Sequence, residues 1–329
     1  MYTKVPKGRR GGERFSVTLR DGLASAIVRE STGLAGHLEG WAPAPVQRTG
    51  VVTGWAVEAF CALLDQPSPL VDGRGDLPPL WTGFGLLPHP AQAELGADGH
   101  PTEGEFLPPI PHRRRMFAGG RWFAGPEPLP VGEPIDRRSA VTSVEVKQGR
   151  SGEMAFVTVR TEFGCGGRVL ATEEQDIVYR SEPSPEPAKP AATTTPTTTP
   201  TTTPTEEAPE AAHELLLEPD ATLLFRFSAL TYNAHRIHYD QPYTTGVEGY
   251  PGLVVHGPLL ALLALELPRR HHPGEPVAEF HYRLRRPAFA GAPVRAWCGE
   301  PDRDGVRRLE VGAVGAPASL TATVRLGKD

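Results

Sequence analysis

Cysteine is scarce. Cys61, Cys165 and Cys298 are the only three in 329 residues, odd in number and far apart. That excludes a disulfide-stapled scaffold and a CxxC zinc ribbon, and it leads us to expect a reducing compartment, the cytoplasm. A membrane-length apolar run is missing as well. The most apolar stretch, LVVHGPLLALLALEL at residues 253–267, is interrupted by His256, Gly257 and Pro258. It falls short of the roughly 20 apolar residues that cross a bilayer. Positive charge is not in excess either: 34 Lys and Arg stand against 39 Asp and Glu, a formal net charge of −5. Proteins built to grip nucleic acid or anionic membrane carry the opposite balance. No secretion signal is visible. The first twenty residues are basic, with Lys4, Lys7, Arg9, Arg10, Arg14 and Arg20 against Glu13, and residues 1–22 read as a tail. Pro6, Gly8, Gly11 and Gly12 spoil an amphipathic helix there, so a disordered tail is expected; a transit peptide would redirect the chain to the mitochondrial matrix.

Proline and glycine, 36 of each, are the abundant residues, and proline is concentrated in one place. Residues 181–209 read SEPSPEPAKPAATTTPTTTPTTTPTEEAP, with Thr-Thr-Thr-Pro three times in succession. Such a stretch cannot form a packed core and favours extended polyproline geometry. It reads as a linker over residues 181–212. The expected units are then residues 23–180 and residues 213–329.

In the first unit, residues 140–146, 155–159 and 168–179 are rich in β-formers, and WAVEAFCALL at residues 55–64 reads as a helix. Residues 77–111, full of Pro, Gly and His, read as ordered but irregular chain. In the second unit, residues 221–230 read as a strand, and residues 257–267 as a helix apolar nearly all round and so buried on every side. Strand patterns follow at residues 277–285, 293–298, 307–314 and 319–326. An antiparallel sheet wrapped around one helix, an α+β architecture, accounts for that order. The first unit reads as a diverged second copy.

The chemistry concentrates in FSALTYNAHRIHYD (residues 227–240) and GLVVHGPLL (residues 252–260). Asn233 and His238 lie in a polar loop ahead of the buried helix. Imidazole moves protons near neutral pH, and an amide beside it can hold a water. His256, Gly257 and Pro258 open the helix, whose N-terminus offers free N–H groups. Pro258 has none, which leaves the Gly257 N–H as the natural donor to a ligand carbonyl. An acid–base group facing an oxyanion donor suits chemistry beside a thioester, where negative charge builds on oxygen.

These residues resemble the hydratase motif of the MaoC-like, R-specific enoyl-CoA hydratases, and within them the branch of hydroxyacyl-thioester dehydratase type 2 and mesaconyl-CoA hydratases. ELGADGHPTEGEFLPPIP (residues 94–111), RRMFAGGR (residues 114–121) and TEEQDIVYR (residues 172–180) are similar to that branch's first half. The resemblance implies a double hot-dog fold: two antiparallel sheets, each wrapped around a central helix, packed as an intrachain pseudo-dimer. It implies reversible addition of water to a 2-enoyl-CoA, giving a 3-hydroxyacyl-CoA. Asn233 falls on the family's catalytic aspartate, His238 on its catalytic histidine and Gly257 on its oxyanion glycine. His235 and Arg236 replace the family's Asn-Pro. No metal and no cofactor are implied beyond coenzyme A as part of the substrate.

Candidate substrate-binding residues are His235, Arg236, His256, Arg114, Arg283 and Arg286, with coenzyme A phosphates as the ligand of the two arginine clusters. A metal held by His235, His238, Asp240 and His256 would lack the usual helical or cysteine scaffold. The expected partner is an acyl-CoA or acyl-carrier-protein thioester, with neither nucleic acid nor membrane, and two chains are expected to pair. A hot-dog acyl-CoA thioesterase and a non-catalytic thioester-binding protein are the alternatives. The first unit lacks the Asn-to-His spacing before a His-Gly and is expected to be catalytically silent, its loops at residues 81–89 and 106–121 walling the acyl pocket.

Overall fold

The computed structural model describes residues 15–17, 33–149, 152–181 and 212–327. The linker and nearly all of the basic tail lie outside these residues. The first half comprises β1 (Phe15–Val17), α1 (Leu34–Leu38), β2 (Val46–Val51), α2 (Gly54–Leu63), β3 (Asp76–Leu77), β4 (Arg113–Ala124), β5 (Leu129–Pro130), β6 (Pro134–Gly149), β7 (Gly152–Cys165) and β8 (Arg168–Ser181). The second comprises β9 (His213–Leu217), α3 (Ala221–Leu230), α4 (Gln241–Gly246), α5 (Gly257–His271), β10 (Val277–Leu284), β11 (Val294–Cys298), β12 (Val306–Ala313) and β13 (Leu320–Leu326).

The two halves share one antiparallel sheet, ordered β1-β6-β7-β8-β4-β10-β13-β12-β11-β9 with β2 also on β6. Strand pairing repeats across its middle. In the first half β4 meets β8, β8 meets β7, and β7 meets β6; in the second, β10 meets β13, β13 meets β12, and β12 meets β11. β2 caps β6 as β9 caps β11. This is an internal duplication joined along β4 and β10, with Tyr282 opposite Gly120 and Arg283 opposite Gly119.

Helix α5 is buried from Leu259 to Pro268 because β9 to β13 pack against it. It continues four residues past the expected end, through Pro268, with Arg269 and Arg270 paired to the buried Glu266 carboxylate. Two expectations are corrected. Residues 221–230 form helix α3, not a strand. Asp220 caps it by accepting a hydrogen bond from the Leu223 N–H at 2.7 Å, and Leu224, Phe227 and Ser228 line one face. The β-forming side chains there obey a period of 3.6, which outweighs their strand preference.

The first half also has no counterpart of α5 among the described residues. Between β2 and β4 its longest helix is α2, which starts shortly after β2 as α3 does after β9 and packs on α3. Phe60 and Phe227 meet between them at 6.4 Å. The place of a second central helix is taken by loop: Phe106, Leu107 and Ile110 cover Ala155, Val157, Ile177 and Tyr179 on the first half's inner face. No helix among the described residues is long and apolar enough to cross a membrane.

Candidate active site

Helix α3 ends directly on the motif. The Asn233 N–H returns to the Ser228 carbonyl at 2.8 Å, and Asn233 Oδ1 accepts the His235 N–H at 2.9 Å, an Asx turn that bends the chain into the loop. Asp240 then caps α4 through the Tyr243 N–H and takes the Arg236 guanidinium at 2.7 Å. Val254 clamps the loop to the segment that leads into α5. Its N–H donates to the Ile237 carbonyl at 2.9 Å, and its carbonyl accepts from His238 Nδ1 at 2.7 Å. His238 is thereby fastened three residues ahead of Gly257. Both residues, with Asn233, line one cavity of about 1490 Å³.

The clamp also fixes the tautomer. Because Nδ1 donates to the Val254 carbonyl, Nε2 carries the lone pair. Four imidazoles run in a row behind this arrangement. Ring centroids lie 3.9 Å apart for His100 and His235, 5.5 Å for His235 and His238, and 3.7 Å for His238 and His256. His256 is fully buried, its Nε2 at 2.8 Å from Ser228 Oγ, and it does not border the cavity. It supports the His238 ring from behind. Burial, opposed by the Val254 carbonyl, pulls His238 down to about 4. Burial and the neighbouring His100 and His238 pull His235 to about 2.

These shifts set two pH limits of opposite kind. An unfolded histidine titrates near about 6.5, so native His235 and His238 bind fewer protons than the unfolded chain below that pH. Stability is complete above about pH 6.5 and falls as pH drops through that value toward about 4. His238 stays neutral, with Nε2 available as a base, over the same window. Brief assays at about pH 5 are therefore expected to give kcat/KM within two-fold of the neutral value, while the unfolding midpoint has already dropped. A catalytic limb near about 6.5 would show that His238 is not this buried base.

At the start of α5, His256 occupies the N-cap position without a side-chain hydrogen bond, and Pro258 follows in the first turn. The Gly257 N–H has no acceptor within the helix and borders the cavity. Phe117 and Leu284 flank it: a Cβ on Gly257 would fall 3.3 Å from Phe117 Cδ1 and 2.5 Å from Leu284 Cδ1.

The expected binding residues separate. His235, Arg114, Arg283 and Arg286 line the cavity, and so do His112, Arg113, Arg115 and Arg180, so the two arginine clusters converge on one mouth. Arg114 donates to Glu248 at 3.0 Å. Arg236 does not line the cavity: it lies on the Tyr243 ring, pairs with Asp240 and donates to the Ala97 carbonyl at 2.9 Å. That donation fastens the first half's loop to the second half's. Of the expected pocket walls, Gly83, Leu87, Pro88 and residues 112–118 border the cavity, whereas Phe106 and Leu107 belong to the inner-face cluster instead.

Among the cavity-lining residues not singled out from the sequence are His100, Glu173, Gln175 and Tyr282. His100 Nδ1 lies 2.9 Å from the Asp98 carboxylate. Burial would raise the Asp98 carboxyl, but hydrogen bonds from the His100 ring and backbone hold it at about 2. Asp98, His100 and His235 place one ligand atom each within 4.8 Å of one another, a spacing a metal ion could accept. Asp240 and His256, considered above as ligands, face Arg236 and Ser228 instead.

A family model for hydroxyacyl-thioester dehydratase type 2 matches residues 84–290. The chain belongs to that family. The mesaconyl-C(4)-CoA hydratase of Chloroflexus aurantiacus is 46% identical over 272 residues, 82% of this chain and 90% of that protein. The mitochondrial hydroxyacyl-thioester dehydratase type 2 of Schizosaccharomyces pombe is 40% identical over 90 residues, 27% of this chain and 30% of that one. A MaoC-like dehydratase from Phytophthora capsici shares the fold at a TM-score of 0.60 and 11% identity, covering 88% of this chain and 97% of its own. HtdX of Mycobacterium tuberculosis does so at 0.54 and 15%, covering 86% and 100%. This member of the dehydratase family is thus a hydro-lyase of acyl thioesters on a double hot-dog fold.

Proposed function

We propose that the chain adds water reversibly to a short 2-enoyl-CoA of the mesaconyl type, with His238 as the base and the Gly257 N–H as the oxyanion donor. The observation that carries this reading is the Val254 clamp, which leaves His238 Nε2 unprotonated beside the start of α5. The similarity to the Chloroflexus aurantiacus hydratase supports the acyl class.

The thioester oxygen accepts the Gly257 N–H, which polarises the conjugated double bond. Asn233 Oδ1 is engaged by the His235 N–H, so its Nδ2 is the group left to hold a water. That water gives one proton to His238 Nε2 while its oxygen bonds to the β-carbon. The double-bond electrons move to the α-carbon and thioester oxygen, and the imidazolium returns the proton to the α-carbon. No net proton is consumed. Burial that keeps His238 neutral also makes its imidazolium a strong acid for this second transfer. A preorganised oxyanion donor is worth about 3–4 kcal/mol of barrier.

The arginines at the cavity mouth would take the coenzyme A phosphates, and we expect two chains to pair. Incubation with mesaconyl-C4-CoA tests the reaction class. Hydration removes the ultraviolet absorbance of the conjugated thioester without releasing thiol; release of free coenzyme A would mark a thioesterase instead.

A further inference from the structure

The inner wall of the cavity carries two polar groups that no catalytic step uses. Glu173 on β8 is only 8% exposed and Tyr282 on β10 only 5%, yet both border the cavity. The register places them. Tyr282 faces Gly120, Gly120 faces Gln175, and Glu173 faces Trp122 one repeat further along the same face. Gly120 lets the Tyr282 ring lie across β4, with its hydroxyl 2.9 Å from where a Cβ would stand, on the side of Gln175. Gln175 Nε2 donates to Glu173 Oε1 at 2.7 Å. Among the described residues neither Glu173 Oε2 nor the Tyr282 hydroxyl has a hydrogen-bond partner.

This polar row lies beside the catalytic centre. Leu284 and Phe117, which flank Gly257, share a face with Tyr282 and Gly120. Two residues of strand span about 7 Å. A four-carbon acyl group covers a little over half of that, and a hydrogen bond of about 2.8 Å covers the rest. Level with Glu173, Trp122 and Phe280 bound the row with apolar core.

Resting on the reading above, we propose that Glu173, Gln175 and Tyr282 form a subsite for a carboxylate at the far end of a four-carbon acyl group. A second carboxylate would ordinarily call for a dedicated cation, but three candidate arginines are engaged elsewhere. Arg121 pairs with Glu174 and Asp176, Arg113 donates to the Pro108 and Thr102 carbonyls, and Arg236 holds Asp240. Among the described residues no cation makes a hydrogen bond or ion pair with Glu173 or Tyr282, so recognition at this row falls to neutral donors. Burial pushes the Glu173 carboxyl up, against the Gln175 hydrogen bond and nearby Arg137, which favours the protonated form and its Oε2–H as a donor to the ligand. Burial likewise keeps the Tyr282 hydroxyl protonated as a second donor. A methyl terminus would leave both donors unpaired, which favours the carboxylate about ten- to hundred-fold.

Fumaryl-CoA and crotonyl-CoA differ only in carboxylate against methyl, and their ratio of kcat/KM reads the subsite. The wild-type ratio should exceed ten. Tyr282→Phe and Glu173→Met should each lower it at least ten-fold, whereas Glu173→Gln, which keeps a donor, should hold it within about three-fold. A wild-type ratio near one, or variants that slow both substrates equally, would overturn the subsite. Should Glu173→Met fail to fold, Tyr282→Phe decides alone. If the wild type hydrates neither substrate, the assigned reaction falls; if it hydrates both alike, only the subsite does.

Discussion

His238→Ala is expected to lower kcat about 1,000-fold, within the range that general acid–base groups contribute, with KM changed only a few-fold. The thioester would still meet the Gly257 N–H, and coenzyme A would still meet the arginines at the mouth, so binding survives where proton transfer does not. Removing the ring also leaves the Val254 carbonyl without its donor and His256 without its partner. That costs about 1–3 kcal/mol of stability, so folding is checked alongside by denaturant midpoint. Added imidazole gives a readout that a structural role would not move. It should restore part of the rate in the alanine variant, in proportion to its neutral form. Full-length, folded protein retaining activity within ten-fold of wild type would remove His238 from the mechanism.

The alternation of residues 319–326 and the all-round apolarity of residues 257–267 made the second half's sheet and central helix legible, because period and burial follow from the same packing. The start of that helix was legible too: His-Gly-Pro places a proline in the first turn and leaves the Gly257 N–H without an acceptor in the helix. Helix α3 was misread because its β-forming side chains were weighed without Asp220, whose side chain caps a helix start there. Arg236 and His256 lie within the motif, yet their partners, the Ala97 carbonyl and Ser228 Oγ, are distant in sequence and invisible from it. Glu173 did leave a signal. Alternation along β8 puts this carboxyl on the same face as Ile177 and Tyr179, an apolar surface where an acid calls for a reason.

Gly99→Ala is expected to cut kcat about 100-fold or more although residue 99 takes no part in the proposed proton transfers. Gly99 sits at φ +87°, and an added Cβ would fall 1.8 Å from the Ala234 carbonyl oxygen and 2.7 Å from its carbon. Those are backbone atoms of the catalytic loop and cannot swing aside. The loop bearing Gly99 is also stitched to that segment: the Arg236 N–H donates to the Asp98 carbonyl at 2.9 Å, and the His100 ring lies on His235. Alanine must therefore push the first half's loop off the second half's, taking His235 and the water site beside Asn233 with it. A displacement of about 1 Å at a positioned group costs about 100-fold in rate. Gly132→Ala separates this from simple backbone strain, since Gly132 has φ +85° but nothing within 4 Å of an added Cβ. Both variants should lose about 1–3 kcal/mol of stability from their positive φ, but only Gly99→Ala should lose turnover and gain hydrogen exchange across residues 94–102 and 233–240. Equal turnover in the two variants would mean that the first half's loop does not hold the catalytic loop in place.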